Sequence, residues 1–213
     1  MSDLKTEEEQ IEAFKAWWKK NGVMLVIAIA LGLGGYFGFQ AWKASQENYT
    51  SEASSLYQNL VQAAADLSDE DNQQTVTFIA NQLSEDYGDT GYAMFAQLFL
   101  ARVDAEQGNF DGAIDALDSA IAKTDDVTFV SIANLRVARL MLQKEAYDNA
   151  MSRVEKVSAD EFTVQKQELI GDVLLSQGDR DGARVAYEKA SQALGAGVSH
   201  PLLEIKLKDL VKG

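Results

Sequence analysis

Gly108-Asn-Phe-Asp-Gly-Ala113 recurs along this chain of 213 residues at nearly constant spacing. It returns as Gly178-Asp-Arg-Asp-Gly-Ala183, and Glu145-Ala-Tyr-Asp-Asn-Ala150 fills the slot between the two with the first glycine replaced. The alanines that close the three stretches lie 37 and then 33 residues apart. A period near 34 residues is typical of stacked helix pairs, because each pair can bury its apolar face only against its neighbours.

Small side chains recur at fixed distances from the closing alanines. Twelve residues before each of them stand Ala101, Ala138 and Gly171. Seven residues after them stand Ala120, Val157 and Ala190, whereas the slot four residues after them holds the larger Leu117, Val154 and Tyr187. Helices that cross closely need a small residue at the crossing. We therefore predict three tetratricopeptide-type helix pairs, over about 92–123, 129–159 and 162–195.

The helical pattern extends in both directions from these pairs. Apolar residues at helical spacing predict a divergent first pair made of helices 49–66 and 74–87, separated by the polar stretch 67–73. Ser199-His-Pro201 predicts the start of a last helix, with proline in its first turn and His200 as a cap residue. The residues expected to cover the open end of the array are Leu203, Leu207, Leu210 and Val211. The predicted fold class is all-α.

One uncharged stretch, from Asn21 to Trp42, interrupts an otherwise water-soluble composition. About twenty helical residues span the roughly 30 Å hydrocarbon core of a bilayer. A cleaved signal peptide is the alternative, but the first plausible cut, after Ala44, would place Trp42 where a small residue is required. We predict a single transmembrane helix at 23–42.

Lysines are unevenly placed on the two sides of this span. After it stands Lys43, and the next basic residue is Arg102. Before it stand Lys5, Lys15, Lys19 and Lys20. Positive charge favours the cytoplasmic side, so we predict a cytoplasmic helical tail at 1–22, beginning near Thr6, and a periplasmic domain at 43–213. The apolar face of the tail is an interfacial lead-in to the membrane or a docking site for a cytoplasmic protein.

Small residues also line one face of the predicted span. Ala30, Gly34 and Gly38 follow one another at four-residue spacing. Small residues let a second membrane helix approach closely. We predict a packing face for a second copy or for another protein, with the alternative that glycine and alanine are simply common in membrane helices.

Composition narrows the functional classes. The formal net charge is −14, and residues 1–22 carry four lysines against five acids, so 15 basic residues face 28 acidic ones in the remainder. Such a domain repels phosphate backbones, which argues against nucleic-acid binding. The absence of cysteine excludes disulfides and thiol chemistry. With a single histidine, His200, and no phosphate-binding glycine loop, the sequence predicts a non-enzymatic protein without cofactor or metal.

The first helices of the pairs are predicted to line a partner-binding groove. The residues expected there share one helix face, and they are Phe95, Leu98, Arg102, Ile132, Leu135 and Arg139. The third pair contributes Gln165, Glu168 and Asp172. Apolar and guanidinium groups together suit an extended segment or a partner's carboxylate. The alternative is that Arg102 and Arg139 pair with local acids such as Glu106 or Asp172.

Several segments along nearly the whole chain match those of a known family. They are Ala13-Phe14-Lys15, Asn21-Gly22 with the glycine-rich span, Ser54-Ser55-Leu56-Tyr57-Gln58, Tyr87-Gly88, Asn134-Leu135-Arg136-Val137-Ala138-Arg139 and Gly178-Asp179-Arg180-Asp181-Gly182-Ala183-Arg184. In them the chain resembles the YfgM-like ancillary subunits of the bacterial SecYEG translocon.

The resemblance implies an inner-membrane protein whose repeat domain lies in the periplasm near the exit of the Sec channel. It implies association with the membrane-anchored periplasmic chaperone PpiD, help in handing emerging chains to chaperones, and, in some members, contact of the tail with a cytoplasmic stress-response regulator. The expected function is therefore an adaptor. The alternatives are a regulator that sequesters a cytoplasmic signalling protein through its tail and a scaffold for assembling envelope complexes.

Overall fold

The computed structural model describes residues 7–195 and 197–211, with Val211 described by its backbone alone. These residues form helices and turns and contain no strand, which confirms the all-α prediction. The helices are α1 (Glu7–Ala63), α2 (Glu70–Asp86), α3 (Gly91–Glu106), α4 (Phe110–Ile121), α5 (Val127–Gln143), α6 (Tyr147–Glu155), α7 (Thr163–Ser176), α8 (Arg180–Ala193) and α9 (Pro201–Val211), with a 3-10 turn at Asp160–Phe162. The chain divides into two compact units, Met1–Ser51 and Glu52–Gly213.

The first unit consists of the N-terminal part of α1. The side chains between Val23 and Trp42 are exposed, and α1 is the one described helix whose length and composition suit a membrane crossing. The sequence predicted a tail helix, a span and a helix at 49–66, but the structure has one continuous helix of 57 residues. No proline lies within α1 to interrupt it. The expected start at Thr6 lies outside the described residues.

The second unit contains the predicted hairpins. The pairs α3–α4, α5–α6 and α7–α8 confirm the three repeats, and residues 52–63 of α1 pack with α2 as the divergent first pair. One boundary was wrong, because α2 begins at Glu70 inside the stretch predicted to be a break. The Asp69 carboxylate accepts a hydrogen bond from the Asp71 backbone N–H at 2.9 Å, so Asp69 within the polar stretch 67–73 is the N-cap of α2.

The small residues of the repeat lie where the helices cross. Ala113, Ala150 and Ala183 are completely buried, each at the start of the second helix of its pair. The third pair shows the constraint most clearly, because a Cβ atom added at Gly171 would lie 2.3 Å from the ring of Tyr187. The buried Tyr187 ring therefore occupies the space that a side chain at position 171 would need.

The turn between the two helices of each pair repeats one backbone geometry. Gly108 and Gly178 have φ of 77° and 87°, and Glu145 occupies the same slot with φ of 58°. In all three turns the next residue donates its N–H to a carbonyl five residues back, from Asn109 to Asp104, from Ala146 to Met141 and from Asp179 to Leu174, at 2.8–2.9 Å. This is the Schellman arrangement that ends a helix with a left-handed residue.

Replacing Glu145 with glycine is expected to stabilise the second unit. Glycine removes the steric penalty of a left-handed residue that carries a side chain, which is about 1–2 kcal/mol. Glycine also makes the unfolded chain more flexible, which costs about 0.5–1 kcal/mol of stability, so we expect a net gain of about 0.5–1 kcal/mol. Urea denaturation of the full chain in detergent, followed by circular dichroism, measures the change. Gly178→Ala is the matched control and should lower stability. A loss of stability in Glu145→Gly would contradict the explanation.

Helix α9 closes the array as predicted. The backbone N–H of Leu203 donates to Nδ1 of His200 at 3.2 Å, which confirms His200 as a helix cap. Leu203 is buried, and Leu207 and Leu210 pack against the same core cluster. The expected contribution of the Val211 side chain lies outside the described residues.

A polar network joins α9 to α7 and α8. Nζ of Lys206 donates to Glu168 at 2.8 Å and to Asp172 at 2.7 Å, and the Tyr187 hydroxyl donates to Asp172 at 2.7 Å. Burial and the hydrogen bond to Asp172 raise the pKa of Tyr187, which keeps the hydroxyl protonated and donating. Glu168 and Asp172 thus hold the C-terminal helix in place.

Candidate functional site

A cavity of about 610 Å³ opens between α3 and α5, the first helices of two consecutive pairs. Ligand pockets in proteins generally measure roughly 300–1,000 Å³. The lining residues come from α1, α3, α4 and α5, and they are Tyr57, Phe95, Leu98, Phe99, Ala101, Arg102, Ala105, Phe110, Leu117, Arg136, Arg139, Leu140 and Gln143. All of them belong to the second unit, and most are apolar.

Aromatic rings cover one side of this cavity. The Tyr57 ring centroid lies 6.5 Å from that of Phe95 and 6.1 Å from that of Phe99. Phe95 continues the group toward α5, because its centroid lies 5.8 Å from that of Phe129 in an edge-to-face arrangement. Contacts at these distances hold rings in defined orientations. Phe95 nevertheless remains 41% exposed, so part of an aromatic surface faces solvent at the cavity.

Three guanidinium groups supply the charge of the cavity. Nε of Arg102 donates to Oε1 of Glu106 at 2.9 Å, so this cation is already paired. Among the described residues, Arg136 and Arg139 have no carboxylate within 4.0 Å. Partial burial and the positive charge of Arg139 lower the pKa of Arg136. Two neighbouring cations that no carboxylate of the described residues neutralises therefore stand beside the apolar surface.

The structure brings four of the six predicted groove residues to the cavity: Phe95, Leu98, Arg102 and Arg139. Ile132 does not line it, and Leu135 is only 3% exposed within a core cluster that contains Val154 and Leu169. Leu98 and Leu135 occupy the same position of the repeat in successive pairs. Leu98 lines the cavity between α3 and α5, whereas Leu135 packs toward α6 and α7. The α5 wall is formed instead by the residues that face back toward α3.

On this wall Arg139 was predicted, but Arg136, Leu140 and Gln143 were missed in the sequence because the register of α5 was taken from α3. Arg136, Arg139, Leu140 and Gln143 follow one another at spacings of three, one and three residues, which places them on one helix face. This spacing was visible in the sequence and identifies Arg136. Tyr57 carried no such signal, because it comes from the divergent first pair and reaches the cavity only through tertiary packing.

The alternative of local ion pairs is confirmed for Arg102, which pairs with Glu106. Among the described residues it does not hold for Arg139, which has no carboxylate within 4.0 Å, and Asp172 is instead bound by Lys206 and Tyr187. Gln165 is exposed on α7 outside the cavity. No group of three or more His, Asp and Glu side chains placed to hold a metal ion occurs in residues 7–195 and 197–211.

The small face predicted on α1 is open in the first unit. Ala30, Gly34 and Gly38 are exposed, and a Cβ atom added at either glycine would meet no atom within 4 Å. Nothing on the helix itself therefore blocks the close approach of a second helix, and the packing face remains a prediction.

The fold and the cavity define a helical-repeat protein with an N-terminal apolar helix that fits a membrane anchor. A family model described as a tetratricopeptide repeat-like domain matches residues 15–212. The chain is 30% identical over 204 residues to the ancillary SecYEG translocon subunits of Haemophilus influenzae and of Aggregatibacter actinomycetemcomitans, covering 96% of this chain and 97% of each relative. It is 27% identical over 210 residues to that of Escherichia coli, covering 99% of both. The chain belongs to this family of tetratricopeptide-like ancillary translocon subunits.

Proposed function

We propose that the chain is a non-enzymatic adaptor of the inner membrane that associates with the SecYEG translocon. Its repeat domain would lie in the periplasm and bind chaperone partners, including one of the PpiD type, or emerging chains. The observation that carries this proposal is that relatives named as translocon subunits align with the chain from the apolar helix to the last repeat.

The lysine distribution supports the proposed orientation. Positive flanks stay in the cytoplasm, and the lysines that precede the span include Lys15, Lys19 and Lys20, whereas Lys43 alone follows it closely. Trp18 and Trp42 stand near the two ends of the span, where indole rings favour the headgroup region.

The cavity supports a binding role for the repeat domain. Phe95 presents exposed aromatic surface, and the guanidinium groups of Arg136 and Arg139 have no carboxylate partner among residues 7–195 and 197–211. A purely structural interface would cover or neutralise such groups. Arginine and aromatic residues are also enriched at protein interfaces.

In-cell photocrosslinking tests the proposal. A photoreactive amino acid is placed at Leu98 or at Arg139, on opposite walls of the cavity, in the full chain. We expect both positions to capture a translocon subunit or an envelope chaperone, because these walls would contact the partner. The measurement is identification of the crosslinked products by mass spectrometry.

The control position is Val185, which is exposed on α8 and outside the cavity. Capture of only lipid or a second copy from both Leu98 and Arg139 would contradict the adaptor function. Deleting residues 2–13, which keeps Lys15, Lys19 and Lys20 before the span, separates the adaptor from the regulator, because loss of signalling with unchanged envelope crosslinks would favour a regulator that acts through its tail.

A further inference from the structure

We infer that the cavity between α3 and α5 binds an extended segment of a partner protein that carries one internal acidic side chain beside an aromatic or large aliphatic one. This inference rests on the adaptor function proposed above and specifies the chemistry of its ligand. It assigns the acidic side chain to Arg136 and Arg139, and the apolar side chain to the surface formed by Tyr57, Phe95 and Phe99.

The first argument is charge. The remainder of the chain beyond residue 22 has 28 acidic against 15 basic residues, and most of its described arginines are already engaged. Arg153 pairs with Asp118, Arg184 pairs with Asp181 and Glu188, and Arg180 donates to the Asp209 carbonyl. In such an acidic domain, Arg136 and Arg139 are two adjacent arginines that pair with no carboxylate in the described part of the chain, and an incoming carboxylate would neutralise them.

The second argument is the number of charges that the cavity accepts. Arg102, the third guanidinium of the lining, is held by Glu106 at 2.9 Å. The Glu106 carboxylate therefore neutralises that side of the cavity and would repel a second ligand acid placed there. The arrangement favours a single acidic side chain over a run of acids or a polyphosphate.

The third argument is the apolar surface beside the cations. Phe95 is 41% exposed, and the rings of Tyr57 and Phe99 hold their positions through mutual contact with a centroid distance of 6.1 Å. Leu98 and Leu140 line the same cavity and add to its apolar surface. An aromatic or large aliphatic side chain buries apolar area here while its neighbour reaches the guanidinium groups.

The test uses peptide libraries displayed in two forms and the full chain in lipid nanodiscs as bait. In one library random peptides are internal, with protein on both sides, and in the other they end in a free carboxylate. We expect the internal library to yield sequences with one Asp or Glu within a few residues of Phe, Tyr, Trp, Leu or Ile. Affinities of the selected sequences are then measured by fluorescence polarisation with capped synthetic peptides.

The charge-removed variant carries Arg136→Gln and Arg139→Gln, both at exposed positions where folding is expected to be retained. We expect it to bind the selected peptides on the order of tenfold or more weakly, because charge-assisted hydrogen bonds to the carboxylate are lost. Changing the peptide acid to its amide should have the same effect on the wild-type chain and little further effect on the variant. The matched control, Arg180→Gln with Arg184→Gln, removes two arginines from α8 and should bind as wild type.

Three results would overturn the inference: enrichment from the free-end library alone, selected peptides without an acidic residue, or unchanged affinity in the Arg136→Gln, Arg139→Gln variant. Failure to enrich any sequence would also overturn it. These outcomes are distinct from failure of the adaptor function, because capture of translocon or chaperone proteins from Leu98 does not depend on how the ligand is recognised.

Discussion

Replacing Gly171 with leucine is expected to lower the free energy of unfolding of the repeat domain by about 3 kcal/mol or more. A Cβ atom at position 171 would lie 2.3 Å from Cε1 of Tyr187, and the further carbons of leucine have no space beyond it. The ring is fully buried, and its hydroxyl is bound to Asp172, so it has no room to withdraw. Urea denaturation of the full chain in detergent, followed by circular dichroism, measures the loss.

The control is Gly91→Leu, since Gly91 lies at the start of α3 with no atom within 4 Å of an added Cβ. Its stability should change by less than about 0.5 kcal/mol. Combining Gly171→Leu with Tyr187→Ala should recover part of the loss, because the leucine then occupies the space of the ring. Simple addition of the two single effects, or a stable Gly171→Leu variant, would contradict the proposed crossing.

This crossing also shows why the repeats could be predicted. In the first pair Ala101 and Leu117 belong to one core cluster, and in the second pair Ala138 and Val154 belong to another. In the third pair the larger Tyr187 is accompanied by the smaller Gly171. The volume at the crossing is shared between two positions at fixed spacing, so the constraint appears in the sequence as small residues at a regular period.

The cavity was less predictable than the repeats, because its position depends on how one helix pair is rotated against the next. Leu98 and Leu135 occupy the same slot of the repeat, yet one lines the cavity and the other is buried. A helix turns by about 100° per residue, so two neighbouring residues face different directions. The register taken from α3 selected Leu135 and therefore missed the next residue, Arg136, which lines the cavity. In the sequence, the turn at Glu145 differs from the other two turns by the lack of a glycine. The structure shows that Glu145 nevertheless adopts the left-handed backbone of Gly108 and Gly178.

The start of the second unit lay beyond local signals altogether. The sequence marks the apolar stretch up to Trp42 and a helical stripe from Tyr49, and no turn residue separates them. Glu52 begins the compact unit inside a continuous helix. No helix break marks this boundary. It is marked instead by tertiary packing, because from here on α1 residues such as Ala53, Leu60 and Ala63 share a core cluster with α2 and α3.

Reversing the lysine asymmetry around the span is expected to invert the chain in the membrane. The variant carries Lys15→Gln, Lys19→Gln and Lys20→Gln before the span, and Ala44→Lys, Ser45→Lys and Gln46→Lys after it. Because lysines near the ends of a span set its orientation, the repeat domain should move from the proposed periplasmic side to the cytoplasm in most molecules. The readout is a single added thiol, Ser119→Cys, at an exposed position of α4.

The absence of native cysteine makes this readout specific, since a membrane-impermeant maleimide can react with the added thiol alone. In spheroplasts the wild-type sequence with Ser119→Cys should be labelled, and the inverted variant only after the membrane is permeabilised. The control variant removes three lysines that lie far from the span in the sequence, and its labelling should be unchanged. It carries Lys123→Gln, Lys156→Gln and Lys189→Gln. Protection of Ser119→Cys in the otherwise wild-type chain would place the repeat domain in the cytoplasm, and with it the cavity would be out of reach of any periplasmic chaperone.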